Sequence, residues 1–452
     1  MKKVLIITYY WPPSGGAGVQ RWLKFTKYLR DYGWEPIIYT PENPESPNND
    51  SSLEKDIPKN LTVVKTKIWE PYNFYKVFVG QKKGDKINAA FLTESKKPKK
   101  FEKIAVWIRG NFFIPDARKF WVKPSIKYLQ DYLKKNQVDA VISTGPPHSM
   151  HLIALGLKRK MNIPWMADFR DPWTNIDFYS KLMLTPFADH KHKRLELEVL
   201  NEADVVTCVG KTWLDELEEL LKKSAPQKFT PAIHKKFQFI SNGYDPDDYS
   251  DEKVEADKKF SIVYIGTLDK SRNPGILWKT LSDIVKKNPA FANDLQLKLV
   301  GKTDIAVTED IESNGLLPYM EKTPYLTHAE VTQVQKKSQV LLLLINNTPN
   351  AMGITTGKLF EYFAAKRPIL CIGPKGGDAD KILSETNGGL ISGYEDGQTL
   401  EANILYFYNK YKQGSLPSES VNIEKYSRKM LTGEVADVLN SISDGNKANR
   451  GI

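Results

Sequence analysis

Thr355-Thr356-Gly357-Lys358 stands directly ahead of the run LFEYFAAKR, and few stretches of the chain gather so many groups able to do chemistry. Small residues at a helix start leave backbone N–H groups uncovered, and such a terminus attracts anions. Glu361, one turn on, shares a helix face with Gly357 and Lys358. Its carboxylate can accept hydrogen bonds from two sugar hydroxyls while the N–H groups hold phosphate. A second stretch, TYYWPPSGGAGVQR over residues 8–21, sets Gly15, Gly16 and Gly18 between an apolar strand and a helix-like run. Glycine there has two readings. It permits the positive φ of a strand-to-helix corner, or it bares backbone so that a ligand can approach a helix start. A third stretch, Asp245 to Asp248 (DPDD), is an acidic cluster of the kind that holds a divalent ion. Within NGYDPDDY, however, Pro246 and the acids read as a turn and cap. No Cys/His ligand set accompanies it, and we expect no metal.

The elements that must position these groups alternate. VLIIT leads through a helix around Trp22-Leu23 to PIIYT. After an irregular Pro- and Lys-rich stretch from Pro41 to about Asp116 come a helix around Ile126–Lys135, DAVIST, the helix HSMHLIALGLKRK, PWMADF and DVVTCVG. Near-continuous apolar strands alternating with helices indicate a parallel, doubly wound α/β sheet. The pattern then restarts with FQFISNGYD, FSIVYIGTLD, LQLKLVGKT, QVLLLLIN and RPILCIGP. A chain of 452 residues is too long for one ordinary core. We therefore expect two Rossmann-like domains, 1–235 with a basic aromatic insertion over about 41–120, and 236–452. Ligands of such sheets bind outside the strand C-termini, so a cleft between the domains is the expected site.

Bulk properties narrow the class. The chain is 41% hydrophobic and 26% charged, which excludes a disordered protein. Its two cysteines lie in apolar runs, as buried thiols of a reducing cytosol do. The start MKKVLIITYYWPPS mimics a signal peptide, but the apolar run is short and stops at Pro12-Pro13, as a buried first strand would. The net charge of +11 is concentrated: Lys96 to Lys135 carries 12 Lys or Arg against three acids. Trp107, Phe112, Phe113, Phe120 and Trp121 interleave with them. That combination suits nucleic acid or an anionic membrane surface. We read it as membrane contact, at the inner face of a cytoplasmic membrane, and expect no nucleic acid.

Taken together in this order, GGAG, ISNGYD, IVYIGTL, LVGK and TTGKLFEYFAAKRPIL resemble the family 4 retaining glycosyltransferases of GT-B fold. The resemblance covers most of the chain outside roughly Pro41 to Lys100. It implies that Thr355, Thr356, Gly357 and Lys358 border the donor phosphates and that Glu361 binds the ribose of a UDP- or GDP-sugar. Arg and Lys usually follow the family's IVYIG strand; here GTLDKSRNP puts Thr267 at the arginine position and Arg272 at the lysine position. An arginine fork suits a diphosphate and would stabilise the departing nucleotide; Lys270 is a further candidate. The glutamate that the family often has eight residues before Glu361 is Gly353 here, so the sugar is left open. Gly15, Gly16 and Gly18 would let the first loop approach donor and acceptor.

On the acceptor side, STGPPHSMHLIA and MADFRDPW each follow a strand. Asp168 or Asp171 could orient or deprotonate an acceptor hydroxyl. His148 and His151 are alternatives, though a histidine at a helix start also serves as a cap, and Asp171 before Pro172 also caps a turn. The resemblance implies sugar transfer with retention to a glycan or lipid-linked sugar acceptor, as in surface polysaccharide synthesis. A nucleotide-sugar epimerase of the same fold is the alternative. An NAD(P)-dependent oxidoreductase fits less well, because GAGVQR lacks the third glycine of the dinucleotide fingerprint. A membrane-associated binding protein without activity would leave Glu361 and Arg272 unexplained.

Overall fold

The structure, a computed structural model, describes residues 1–45, 49–71, 100–249, 254–414, 416 and 420–449. Lys96, Lys97 and Lys99 of the basic segment lie outside the described residues. The chain divides into two units, Met1–Ser241 with Lys429–Ile452, and Asn242–Arg428.

The first unit is built on seven parallel strands. In chain order these are β1 (Lys2–Ile7), β2 (Trp34–Pro41), β3 (Thr62–Thr66), β4 (Ala140–Gly145), β5 (Trp165–Phe169), β6 (Val205–Cys208) and β7 (Phe237–Phe239), and their order in space is 3-2-1-4-5-6-7. Leu5 is paired with Ile37 on one side and Val141 on the other. Central strands of this kind are covered on both faces, which is why Val4 to Ile7 are all buried and apolar. The helices include α1 (Ala17–Tyr28), α2 (Lys100–Phe112), α3 (Lys119–Lys135), α4 (Ser149–Met161) and α5 (Pro186–Glu202). One face of the sheet packs Val4, Ile6, Ile142 and Met166 against Trp22 and Leu23 of α1.

The second unit carries six parallel strands, β8 (Phe260–Ile265), β9 (Leu295–Val300), β10 (Met320–Thr323), β11 (Val340–Leu344), β12 (Ile369–Ile372) and β13 (Gly389–Ser392), in the order 10-9-8-11-12-13. Alternate residues of β8 feed different cores: Phe260, Ile262 and Tyr264 one face, Val263 and Ile265 the other. Among its helices are α6 (His328–Lys337) and α7 (Gly357–Ala364). In both sheets the strand order reverses once, between β1 and β4 and between β8 and β11. At such a switch point adjacent loops leave in opposite directions and open a crevice at the strand C-termini.

Three placements differ from the sequence reading. FQF over residues 237–239 pairs with β6 as the last strand of the first sheet (Val206 opposite Phe237), so it does not open the second sheet. The final helix, α8 (Arg428–Asn449), returns to the first unit, where Leu431, Val435 and Leu439 join the core containing Trp22 and Ile142. Its apolar stripe is completed there rather than in the domain that precedes it in sequence. The stretch expected to be irregular contains β3 and α2, and α3 starts at Lys119 instead of Ile126.

Leu439 is fully buried although it lies almost 200 residues from Ile240, its neighbour in the same core. Leu439→Ala should lower the stability of the first unit by about 2–5 kcal/mol, seen as a lower denaturant midpoint. An unchanged midpoint would mean that α8 does not pack there in solution.

Candidate functional site

At the β8/β11 switch point two cations converge. Arg272 Nη1 and Lys358 Nζ each donate to the hydroxyl of Tyr264 at 3.4 Å. Lys358 lies 4.6 Å from the centre of the Tyr264 ring. Arg272 is steadied by Asn346, whose side-chain oxygen accepts from Nε at 2.6 Å. Asp269 caps the short turn Lys270–Arg272 by accepting from the backbone N–H groups of Ser271 and Arg272. Among the described residues no carboxylate neutralises either cation. Two like charges brought to one phenol oxygen repel each other, and an anion between them would relieve that repulsion. Gly266 makes it possible. Its φ is +128°, and a Cβ there would stand 2.5 Å from Lys358 Nζ. Lys270 is exposed on the same turn.

The next loop supplies the helix terminus. Thr356 is the N-cap of α7, yet its side chain makes no capping bond, and its Oγ1 is buried without a partner. A Cβ on Gly357 would meet nothing within 4 Å, so the first turn of α7 is open to an incoming group. Thr355 is buried, and its carbonyl accepts from Asn242 Nδ2 at 3.3 Å. Glu361 is half-buried one turn along. Its Oε2 accepts from Gln335 Nε2 at 3.3 Å, and Gln335 Oε1 in turn accepts from the Tyr249 hydroxyl at 2.7 Å. Arg272, Lys358, Gly357 and Glu361 thus belong to one neighbourhood of the second unit. Tyr264, Asn346 and Gln335 were not legible as members: each is an ordinary strand, loop or helix residue by its local sequence. Asp245 to Asp248 form a turn, with Asp245 accepting from the Asp247 N–H at 3.2 Å and Asp248 paired to His328.

In the first unit, Asp168 at the end of β5 is fully buried and accepts five hydrogen bonds. They come from Arg21 Nη2 (2.9 Å) and Nε (3.3 Å), Trp22 Nε1 (2.7 Å), Thr144 Oγ1 (2.9 Å) and Thr207 Oγ1 (3.0 Å). Burial works to raise its pKa, but the Arg21 guanidinium and the other donors outweigh it and hold the carboxyl below its ordinary value. With its lone pairs occupied, Asp168 does not fit the base role expected of it and acts as a structural anchor. Asp171 differs. Burial pushes its pKa up to about 6, Arg170 opposing the shift and Asp177 adding to it. Of the two acids, its proton affinity is the one suited to accepting a proton near neutral pH.

The glycine loop is tied to these residues. Arg170 donates from Nη1 to the Gly18 carbonyl at 3.1 Å and from Nη2 to the Pro146 carbonyl, joining the loops after β1, β4 and β5. A Cβ on Gly18 would stand 2.8 Å from that guanidinium, and one on Gly15 would stand 2.9 Å from Asp50 Cβ. Those two glycines make room for the protein's own atoms. Gly16, at φ +96° with no atom within 4 Å of its missing Cβ, is the one open to a ligand. His148 stacks on Trp173 at 4.7 Å, and His151 Nδ1 is bonded to Ser143 Oγ at 2.8 Å. Burial drives both imidazoles toward the neutral form, the pKa of His151 falling to about 3. They are core histidines.

The fold is that of GT-B glycosyltransferases. A glycosyltransferase from Rickettsia africae matches with 15% identity over 98% of each chain, at a TM-score of 0.61. Alr3699/HepE of Anabaena, solved in complex with UDP-glucose, matches with 11% identity over 98% of this chain and all of the other, at 0.60. The fold also extends to a candidate UDP-N-acetylglucosamine 2-epimerase from Listeria monocytogenes, with 11% identity over 97% and 96% of the chains, at 0.53. No protein-family profile and no curated protein sequence matches the chain.

Removing the Asp168 carboxylate leaves the Arg21 charge buried and unpaired. Asp168→Ala should therefore cost about 3–5 kcal/mol, read by denaturant unfolding. Because the folded pKa lies below the unfolded value, the stabilisation is complete at neutral pH and is lost as pH falls from about 3.8 through the folded value. A variant as stable as wild type would remove the anchor role.

Proposed function

We propose that the chain is a retaining glycosyltransferase of the family 4 type that moves a hexosyl group from a UDP- or GDP-sugar to a hydroxyl acceptor. The observation that carries the reading is the meeting of Arg272 and Lys358, without a neutralising acid among the described residues, beside the open first turn of α7 and the Glu361 carboxylate. The cations and the α7 N–H groups hold the donor diphosphate in place of a metal, and Glu361, oriented by Gln335, accepts from the ribose hydroxyls. The sugar–phosphate bond breaks through an oxocarbenium-like state. Charge grows on the departing diphosphate, where Arg272 stabilises it, and the diphosphate helps take the proton of the acceptor hydroxyl entering on the same face. Asp171 orients that hydroxyl.

The acceptor in this reading is a lipid-linked glycan of surface polysaccharide synthesis, met at the inner face of the cytoplasmic membrane. The support is an exposed apolar and basic face on the first unit. Ile104, Trp107 and Phe112 of α2 and Phe120 of α3 stand in solvent beside Lys103 and Lys123. Among the described residues no helix is long and apolar enough to cross a membrane, so attachment in this reading is peripheral.

Glu361→Ala should weaken binding of the nucleotide-sugar at least tenfold by calorimetry, with EDTA leaving wild-type affinity unchanged. Arg272→Ala should lower turnover about 100-fold, more than it lowers donor affinity. Unaltered affinity in the first variant, a metal requirement, or an inverted product by NMR would each overturn this assignment. Anionic vesicles should sediment the protein at low salt and release it at high salt, since each basic residue near the surface contributes about 1 kcal/mol. Charge reversal at Lys96, Lys97, Lys99 and Lys100 should abolish sedimentation, and its persistence would remove the membrane from the reading.

A further inference from the structure

Within the first unit, a cavity of about 250 Å³ opens between the end of α2, the loop after β4 and residues 173–182. That is the share of about eight water molecules in the liquid. Its walls are rings and aliphatic side chains: Tyr10, Phe113, Trp173, Ile176, Phe178 and Leu182. The polar groups that border it are mostly committed elsewhere. Asp116 accepts from the Ser149 N–H and hydroxyl at the start of α4. Arg118 is paired with Glu70 at 3.0 Å, and the Glu45 backbone N–H donates to the same Glu70 carboxylate. Tyr179 donates to Asp189 at 3.0 Å, and His192 Nδ1 accepts from Trp173 Nε1 at 3.1 Å.

Few groups are left for a ligand. Two buried ring nitrogens of the lining, His148 Nδ1 and His192 Nε2, make no hydrogen bond. Arg109, which also borders the cavity, is exposed, and its guanidinium has no ion pair or hydrogen bond among the described residues. A free sugar would find too few open donors and acceptors in such a cavity, because each buried hydroxyl needs a partner. An apolar chain carrying one anionic end would find apolar walls and an unpaired guanidinium. The two segments that supply lining residues also carry exposed hydrophobic side chains, Trp107 and Phe112 of α2 and Phe178 and Met183 of the 178–183 turn. Asn111 ties the segments together by donating to the Met183 carbonyl at 3.1 Å and accepting from the Thr185 N–H at 2.7 Å.

We propose that this cavity binds the head-proximal apolar segment of a phosphorylated long-chain lipid, with Arg109 meeting the phosphate. The inference rests on the transferase reading for its purpose, since the bound lipid is the carrier of the acceptor sugar, but the binding itself is independent of the donor site.

Farnesyl diphosphate is the probe, titrated by calorimetry into the full chain in the absence of membranes. It should bind at least tenfold more tightly than farnesol or inorganic diphosphate, because it alone supplies both halves of the match. Arg109→Ala should cost at least tenfold, and Ile176→Trp, which fills the cavity, should abolish binding. In both variants UDP should bind as in wild type, which also shows that they fold. Equal binding of farnesol, displacement of the probe by UDP, or indifference to both substitutions would overturn the proposal. Failure of wild type to bind either UDP or GDP, alongside intact farnesyl diphosphate binding, would instead defeat the transferase reading and leave the lipid site standing.

Discussion

One buried carboxylate fixes the first unit. Asp168 sits with no solvent exposure at the C-terminal end of β5 and gathers Arg21 and Trp22 from α1, Thr144 from β4 and Thr207 from β6. A buried charge is tolerated only when a counter-charge and hydrogen bonds replace its lost hydration, so each of these elements is held to a single place. Arg21 extends the constraint, donating from Nη1 to the Ser241 carbonyl at 2.7 Å and from Nη2 to the Ile240 carbonyl at 2.9 Å. The loop between β1 and α1 has no freedom left beyond its own few residues.

The second unit solves the opposite problem. Its switch point collects positive charge and leaves it uncompensated: Arg272 and Lys358 share a phenol oxygen, and α7 adds an uncapped N-terminus. The repulsion between the two cations works against stability, and an anion held between them would offset it. Asn346 and the Asp269 cap keep Arg272 from swinging out to water. Electrostatic preorganisation of this kind is what stabilises a departing diphosphate.

The parts of the fold that were legible in the sequence are those whose signal is local. Central strands such as VLII and VLLLL are continuous apolar runs, and the glycine before Lys358 marks a helix start. Edge strands carry no such signal. β10 reads MEKT and β13 reads GLIS, short and partly exposed, because one side of each lacks a neighbour to bury it. β7 is as apolar as an opening strand would be, and only its pairing with β6 assigns it to the first sheet. Site residues divide the same way. Lys358 and Glu361 are betrayed by their spacing on one helix. Asp168 misleads, since its neutralising partners lie almost 150 residues earlier, and Tyr264 hides inside a strand whose side chains otherwise build a core.

The fold by itself serves both sugar transfer and epimerisation, so a choice between them must come from chemistry the two do not share. An epimerase acts on one nucleotide-sugar, and a phosphate-and-ribose site with a base is all it needs. A transferase needs a second ligand brought to the first. The cavity bordered by Trp173 and Arg109 is built within the first unit alone, apolar inside and cationic at its rim. Neither property matches a nucleotide, whose base and ribose require polar partners. An apolar anionic ligand has no place in an epimerase. A ligand of that kind in the cavity would therefore separate transfer from epimerisation where the likeness of the backbone does not.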